Sequence, residues 1–508
     1  MSSSAAEQLR LWAWSVGLFI ATVFLHTRHN DFPWYYHPDE PGKVEQVLGM
    51  RPWNFHHPML LLTTTKVAVQ VAGASAEQTV VEIGRTVSAV FTALSVVLLS
   101  LLAYRWRGWP VALSAGVALL LHHQLYELAH YMKEDTALLL GMALTFLAAY
   151  CYEQKRTLGA ALALGVGCGL AISGKYMGVM ALGIAVPVLL RYRREGGITA
   201  AVIALVSVIL IVNFPLLRDW ETFSSSFARE TKLVVGGQGE LKQSVPHTRY
   251  WSVFLSNATP MMWLLLLVML WAAVQRRREF SMVEWMMIAF PFVYAFALSF
   301  SPKENDRYFL PATALFTVLA AGGAVELSRF VSTRASRNGV EIGVGILLAL
   351  AQLPSWTDDR GGLLRYHEAF QRDDTAELVQ WLRQNVPPPA VIAKDEKVRL
   401  PDLLRHGKGP GAEPLPNVIL SEDFVADLGS LEKLRGKGVT HLVITPSTYK
   451  RFERTGVRPQ GGAADKFYRR KMFYALLKRD YEPVKVWARG TVLYLHPGLE
   501  VYRIGAVE

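Results

Sequence analysis

Apolar runs long enough to cross a bilayer recur along this chain and are separated by short polar loops, and this constrains its fold more than any other feature. Its 508 residues are 51% hydrophobic with a mean hydropathy of +0.22, too long and too apolar for one ordinary soluble domain. The first run, Leu11 to Leu25, follows Arg10 and leads into HTRHND without a small-residue cleavage site, so it is expected to be retained as a spanning helix. Further runs lie near Thr79 to Tyr104, Trp109 to Leu128, Asp135 to Tyr152, Leu158 to Ile172, Tyr176 to Leu190 and Thr199 to Leu216. Four more lie near Ala258 to Val274, Met282 to Phe300, Tyr308 to Ser328 and Val340 to Leu353. The expected fold class is therefore an α-helical polytopic membrane protein with about eleven spans. The runs on either side of Ser173, Gly174 and Lys175 are short, and a single broken helix is the competing reading.

The net charge of +11 is spent on orientation rather than on nucleic acid. Arg105 and Arg107, Lys155 and Arg156, Arg191, Arg193 and Arg194, Arg276 to Arg278, and Arg329, Arg334 and Arg337 occupy alternate connections, which are expected to face the cytoplasm together with the N-terminus. The remaining connections then share the outer face: the loop with Asp39 and Glu40, YMKED, SGKY, the loop from Arg218 to Asn257, and SPKENDRY. His56 to Ala74 is apolar but carries Lys66, Gln70 and three threonines, which suits an amphipathic helix in the outer interface better than a span. Cys151 and Cys168 both fall in or beside apolar segments and offer no disulfide framework.

Near Leu353 the composition changes to charged residues, prolines and short apolar runs. Residues 1–355 are read as the membrane domain and 356–508 as a C-terminal soluble α/β domain, extracytoplasmic by the same charge rule. DTAELVQWLRQNV, LGSLEKLRGKGV and DKFYRRKMFYALLKRDY have helical spacing. AVIAK, NVIL, THLVI and the stretches Val484 to Trp487, Val492 to Leu495 and Val501 to Ile504 read as strands. No glycine-rich nucleotide loop opens a helix there.

WYYHPDEPGK sets Asp39 and Glu40 between Pro38 and Pro41, which argues for an ordered loop with placed acids; the bland alternative is that the acids keep the loop wet and begin the next helix. His123, Glu127, His130 and Glu134 carry the spacing of one helical face and could hold a metal ion. Only one E-x-x-H is present, however, whereas a di-metal bundle takes two. Glu134 and Asp135 also suit a plain helix start, and Lys175 a lysine at an interface. Arg307 offers a planar fork for phosphate oxygens and Lys303 a mobile point charge, on a face where the topology rule expects few cations.

WYYHPDEPGK, FHHPML, IGRTVSAVFTAL, HYMKEDTALLLGMALTFLA, SGKYMGVM and NDRYFLP, in that order, resemble the polytopic GT-C glycosyltransferases, nearest to bacterial members allied with protein O-mannosyltransferases and aminoarabinose transferases of the family 39 type. The resemblance implies a GT-C-like membrane region in the plasma (inner) membrane and transfer of a hexosyl or pentosyl group on its outer face, with inversion. The donor is a sugar on a polyprenyl phosphate, and the acceptor hydroxyl belongs to a lipid, glycan or protein. It favours Asp39 as the general base, with Glu40 orienting acceptor or base, and leaves open which of the two acids takes the proton. Arg307, Lys175, Lys303, Tyr176 and Asp135 fall to the donor phosphate, His57 and His37 to the acceptor path, and a divalent metal is left open. A transporter or flippase also has many spans, but it tends to place coupling charges at mid-membrane and to show paired halves, and neither pattern is present here.

Overall fold

Without water to take up backbone hydrogen bonds, an apolar run must satisfy its own N–H and C=O groups, so it coils into a helix. A computed structural model describes residues 3–193, 196–236, 257–299, 306–329, 334–354, 362–400, 415–453 and 462–505. Among them, four helices are long and apolar enough to cross a membrane: Ala5–His26, Glu77–Arg107, Glu134–Lys155 and Asp306–Ser328, the last beginning as a 3-10 turn at Asp306–Phe309. Shorter apolar helices occupy Leu60–Ala72, Trp109–Leu120, Leu158–Gly174, Tyr176–Arg191, Gly197–Val212, Pro260–Gln275, Met282–Leu298 and Gly339–Leu350. The protein is thus a helical, polytopic membrane protein, and every expected apolar run is met by a helix.

Three expectations change in detail. The run from Trp109 to Leu128 is two helices, because His122 leaves the helical conformation and its Nδ1 accepts from the Gln124 N–H, starting a new helix at His123–Ala129. Glu40 does begin a helix, Glu40–Leu48; Pro41 falls in its first turn, where a missing N–H costs nothing. Residues 492–495 form turns rather than a strand.

The chain divides into two compact units. One comprises Met1–Asn30, Gly42–Val235 and Val245–Leu364; the other comprises Asp31–Pro41, Gly236–Ser244 and Arg365–Glu508. The division after the last membrane helix falls at Leu364, and the first loop groups with the tail. Its aromatic residues explain this: Phe32 lies 6.1 Å from Phe370, and His37 lies 4.2 Å from Tyr494, centroid to centroid.

In the first unit, close helix packing depends on missing side chains. A Cβ on Gly167 would lie 2.7 Å from the Thr145 nitrogen, and one on Gly174 would lie 2.6 Å from that of Leu138, so the helix Leu158–Gly174 lies directly on Glu134–Lys155. Large apolar side chains such as Ile20, Phe24, Ile203, Ile211, Leu267 and Phe296 remain exposed, which suits a lipid-facing surface. The basic connections meet at one end of this unit: Arg107 pairs with Glu284 at 3.0 Å, and Arg276 and Arg329 both reach Glu326. There Glu153 accepts from the Met282 and Val283 N–H groups. Glu134 begins the same helix, nineteen residues before Glu153 and so about 28 Å away at 1.5 Å per residue. The sorting of charge by face therefore appears as two ends of one helix bundle.

The second unit is α/β. Strands β1 (Val391–Asp395), β2 (Val418–Glu422), β3 (Val439–Ile444), β4 (Pro483–Trp487) and β5 (Leu499–Arg503) form one sheet in the order β2-β1-β3-β5-β4. β1 runs parallel to β2 and β3, and β5 is antiparallel to β3 and β4. Every residue of β3 is buried, as expected of a central strand in a sheet covered on both faces. Leu378 and Leu382 of helix Asp374–Asn385 pack with Ile392, Val443 and Val501. A separate cluster joins Phe452 and Tyr449 to Phe467, Tyr474 and Leu477 of helix Gly462–Asp480.

Candidate active site

The helix Leu158–Gly174 ends where Lys175 takes an extended conformation, φ −157° and ψ 146°. Because Gly174 sits against the backbone of Ala137 and Leu138, the next side chain emerges beside the start of Glu134–Lys155. Lys175 Nζ reaches Asp135 Oδ1 at 2.5 Å, and the two side chains are 9% and 3% exposed. The other carboxylate oxygen, Oδ2, lies 3.7 Å from Arg307 Nε. Arg307 belongs to the turn Asp306–Phe309, whose Asp306 carbonyl accepts from Gln124 Nε2 at 3.0 Å. Tyr308 lies between the two cations: Lys175 Nζ is 4.3 Å and the Arg307 guanidinium carbon 5.6 Å from its ring centre.

Glu134 takes a different cation. Lys43 Nζ lies 2.6 Å from Glu134 Oε1 and donates to the Met132 carbonyl at 2.7 Å. Lys133 is buried as well. Four cations, Lys43, Lys133, Lys175 and Arg307, thus stand around two carboxylates, Glu134 and Asp135, at one end of the bundle. Lys175 is close on Asp135, whereas Arg307 stands farther from it.

His57 belongs to a loop pinned on both sides. The Phe55 carbonyl accepts from Tyr176 Oη at 2.9 Å, and the Met59 N–H donates to Asn213 Oδ1 at 3.0 Å. Phe55 holds φ +47°, a conformation that a phenylalanine adopts only when its surroundings impose it. Burial lowers the His57 pKa to about 4; Glu134 raises it, and Lys175, Lys43 and Lys133 lower it. The imidazole is therefore neutral and can hydrogen-bond without adding charge.

Asp39 and Glu40 lie in the second unit. Asp39 is exposed and its N–H donates to His37 Nδ1 at 3.1 Å; Glu40 is buried. Lys303 and Arg194 lie outside the described residues, as does much of the loop from Arg218 to Asn257.

His123, Glu127, His130 and Glu134 do not lie on one continuous helix. One helix stops at Ala129 and the next starts at Glu134, so the four residues do not share a face. Both ring nitrogens of His130 lie against backbone carbonyls, Tyr126 at 2.7 Å and Arg28 at 2.8 Å. No group of three or more His, Cys, Asp or Glu side chains suited to a metal occurs among the described residues.

Sequence reasoning overlooked Lys43, Tyr308 and Asn213. Lys43 had a readable signal: it is a cation on the face where the charge rule expects few, the argument that singled out Arg307.

Residues 46–213 match the profile of the dolichyl-phosphate-mannose-protein mannosyltransferase family. Among solved structures, ArnT from Cupriavidus metallidurans bound to undecaprenyl phosphate aligns over 100% of both chains at 15% identity and a TM-score of 0.51. Its apo state aligns over 100% of both at 16% identity and a TM-score of 0.52. The Archaeoglobus fulgidus oligosaccharyltransferase in the apo form aligns over 86% of this chain and 70% of its own, at 12% identity and a TM-score of 0.45. No curated protein matches. The chain has the GT-C fold, in agreement with the order of its loop motifs.

Proposed function

We propose that this protein is a membrane glycosyltransferase that moves a sugar from a polyprenyl-phosphate donor to an acceptor hydroxyl, with inversion at the anomeric carbon. The observation that carries the reading is the meeting of Lys175 and Arg307 on Asp135 at the end of the bundle opposite the arginine-rich loops. Its support from likeness is the family profile over residues 46–213 and the fold shared with ArnT, one of whose structures holds undecaprenyl phosphate.

In this reaction the acceptor oxygen forms the new glycosidic bond while the bond from the sugar to the phosphate breaks. The departing phosphate takes the electron pair, and the acceptor's proton passes to a base. Arg307 and Lys175 neutralise the phosphate as its charge grows, where exclusion of water makes each charge count for more. Asp135 holds both cations before the donor arrives and shares them afterwards. Tyr176 keeps the His57 loop in place through the Phe55 carbonyl, and neutral His57 lines the acceptor path. Lys303 is assigned to the donor phosphate with Arg307. Asp39 receives the acceptor's proton as attack proceeds and Glu40 orients it, with His37 beside the path. A carboxylate is a weak base for a hydroxyl, so the proton moves late, as bond formation acidifies it. The membrane orientation that follows is a cytoplasmic N-terminus and an extracytoplasmic α/β unit.

The test is transfer from labelled polyprenyl-phosphate sugars by the purified protein, with Asp39→Asn alongside. Loss of a general base lowers turnover about 10²- to 10⁴-fold. Wild-type turnover in Asp39→Asn would exclude the assigned role.

A further inference from the structure

The loop that carries Asp39 is fastened by residues more than three hundred positions away in sequence. Tyr36 Oη donates to Asp373 Oδ2 at 2.9 Å across a separation of 337 residues. The other oxygen, Asp373 Oδ1, accepts from the Ala376 N–H at 2.9 Å and caps helix Asp374–Asn385. That helix is seated on the sheet through Leu378 and Leu382, both fully buried. Its first turn is held again by His496, whose Nδ1 lies 3.0 Å from Asp374 Oδ1 and whose Nε2 lies 2.7 Å from the Ala369 carbonyl. From Tyr36 the connection runs on to the acid itself. His37 packs on Tyr494, and its Nδ1 accepts from the Asp39 N–H.

We infer that Tyr36 and Asp373 form a latch through which the α/β unit positions Asp39, making that unit part of the transfer machinery. The inference rests on the reading of Asp39 as the base. Tyr36 is buried, and a merely space-filling ring would need no partner; instead its hydroxyl is matched to a carboxylate that already caps a helix. A neutral hydroxyl serves here because burial, and then Asp373, push the Tyr36 pKa well above its ordinary value, so the proton stays on the donor. Tyr36 is accordingly a positioning residue: it acts on the proton acceptor through the backbone of residues 36–39.

The experiment uses the full chain in nanodiscs, with Tyr36→Phe, Asp373→Ala and Asp39→Asn. Each is read by transfer kinetics with a labelled polyprenyl-phosphate sugar and by amide hydrogen exchange over residues 31–41. Tyr36→Phe keeps the ring and loses only the latch; it should lower kcat about tenfold, leave the donor KM within about twofold, and speed exchange about tenfold. Asp373→Ala removes the latch's acceptor and the helix cap, so it should lower kcat and speed exchange in the same sense as Tyr36→Phe; wild-type behaviour in both readouts counts against the latch. Unchanged exchange or unchanged kcat in Tyr36→Phe, with Asp39→Asn inactive, overturns the latch alone. Full turnover in Asp39→Asn overturns the base and, with it, the latch's purpose, whatever exchange shows.

Discussion

Lys175 and Asp135, forty positions apart, meet at 2.5 Å with both side chains withdrawn from solvent. A buried pair of this kind is costly to break because one charge is left without its partner, and single removal typically costs about 3–5 kcal/mol. Lys175→Met should therefore lower the melting temperature of the detergent-solubilised protein and abolish transfer. In the double variant Lys175→Met, Asp135→Leu, the stability should largely return while transfer stays absent. A double variant as unstable as the single one would show that the pair's role is not electrostatic.

Gly174 sets where Lys175 emerges. With a Cβ at Gly174 only 2.6 Å from the Leu138 nitrogen and 2.7 Å from the Ala137 carbonyl carbon, Gly174→Val must push the two helices apart. Overpacking of this order costs about 1–3 kcal/mol. Thermal unfolding should register that loss, and donor affinity should fall with it. Gly159→Ala in the same helix, where an added Cβ meets nothing within 4 Å, is the control and should change neither.

The α/β unit should lose stability as pH rises from about 4 to about 6. Asp395 is fully buried; burial raises its pKa to about 6, against the hydrogen bonds it accepts from Tyr474 and the Val425 and Thr445 N–H groups. The folded unit therefore holds this proton where the unfolded chain has released it, which favours folding at low pH and ceases to do so above the folded pKa. The effect is at most about 3 kcal/mol. His496 acts in the same sense: burial lowers its pKa, but the Asp374 hydrogen bond and the Ala369 carbonyl outweigh this and raise it overall. Hydrogen exchange of the β1 and β3 amides in the full chain should be slower at pH 5 than at pH 7, after correction for intrinsic rates, and Asp395→Asn should flatten the difference.

What the sequence made readable was whatever repeats or alternates. Helix positions followed from run length, and the separation of Arg107, Arg276 and Arg329 from Asp135 followed from loop charge, because both are one-dimensional signals. Arg307 and Lys175 could be placed on one face without knowing that both meet Asp135. Contacts such as Lys43 with Glu134 depend on two loops meeting in space, and no spacing encodes that. The same holds for Tyr36 and Asp373, whose contact ties the first loop to the tail. The spacing from His123 to Glu134 runs across a segment where the helix stops.

The central claim is that the Lys175, Arg307 and Asp135 cluster receives a lipid phosphate. Its most direct test is the affinity of purified protein for undecaprenyl phosphate, measured for wild type and for Arg307→Ala with the fold checked by melting temperature. The account predicts saturable binding by the wild type, weakened at least tenfold in Arg307→Ala, as expected for loss of a charge-assisted contact worth about 1.5–3 kcal/mol. Equal affinity of the two proteins would contradict it.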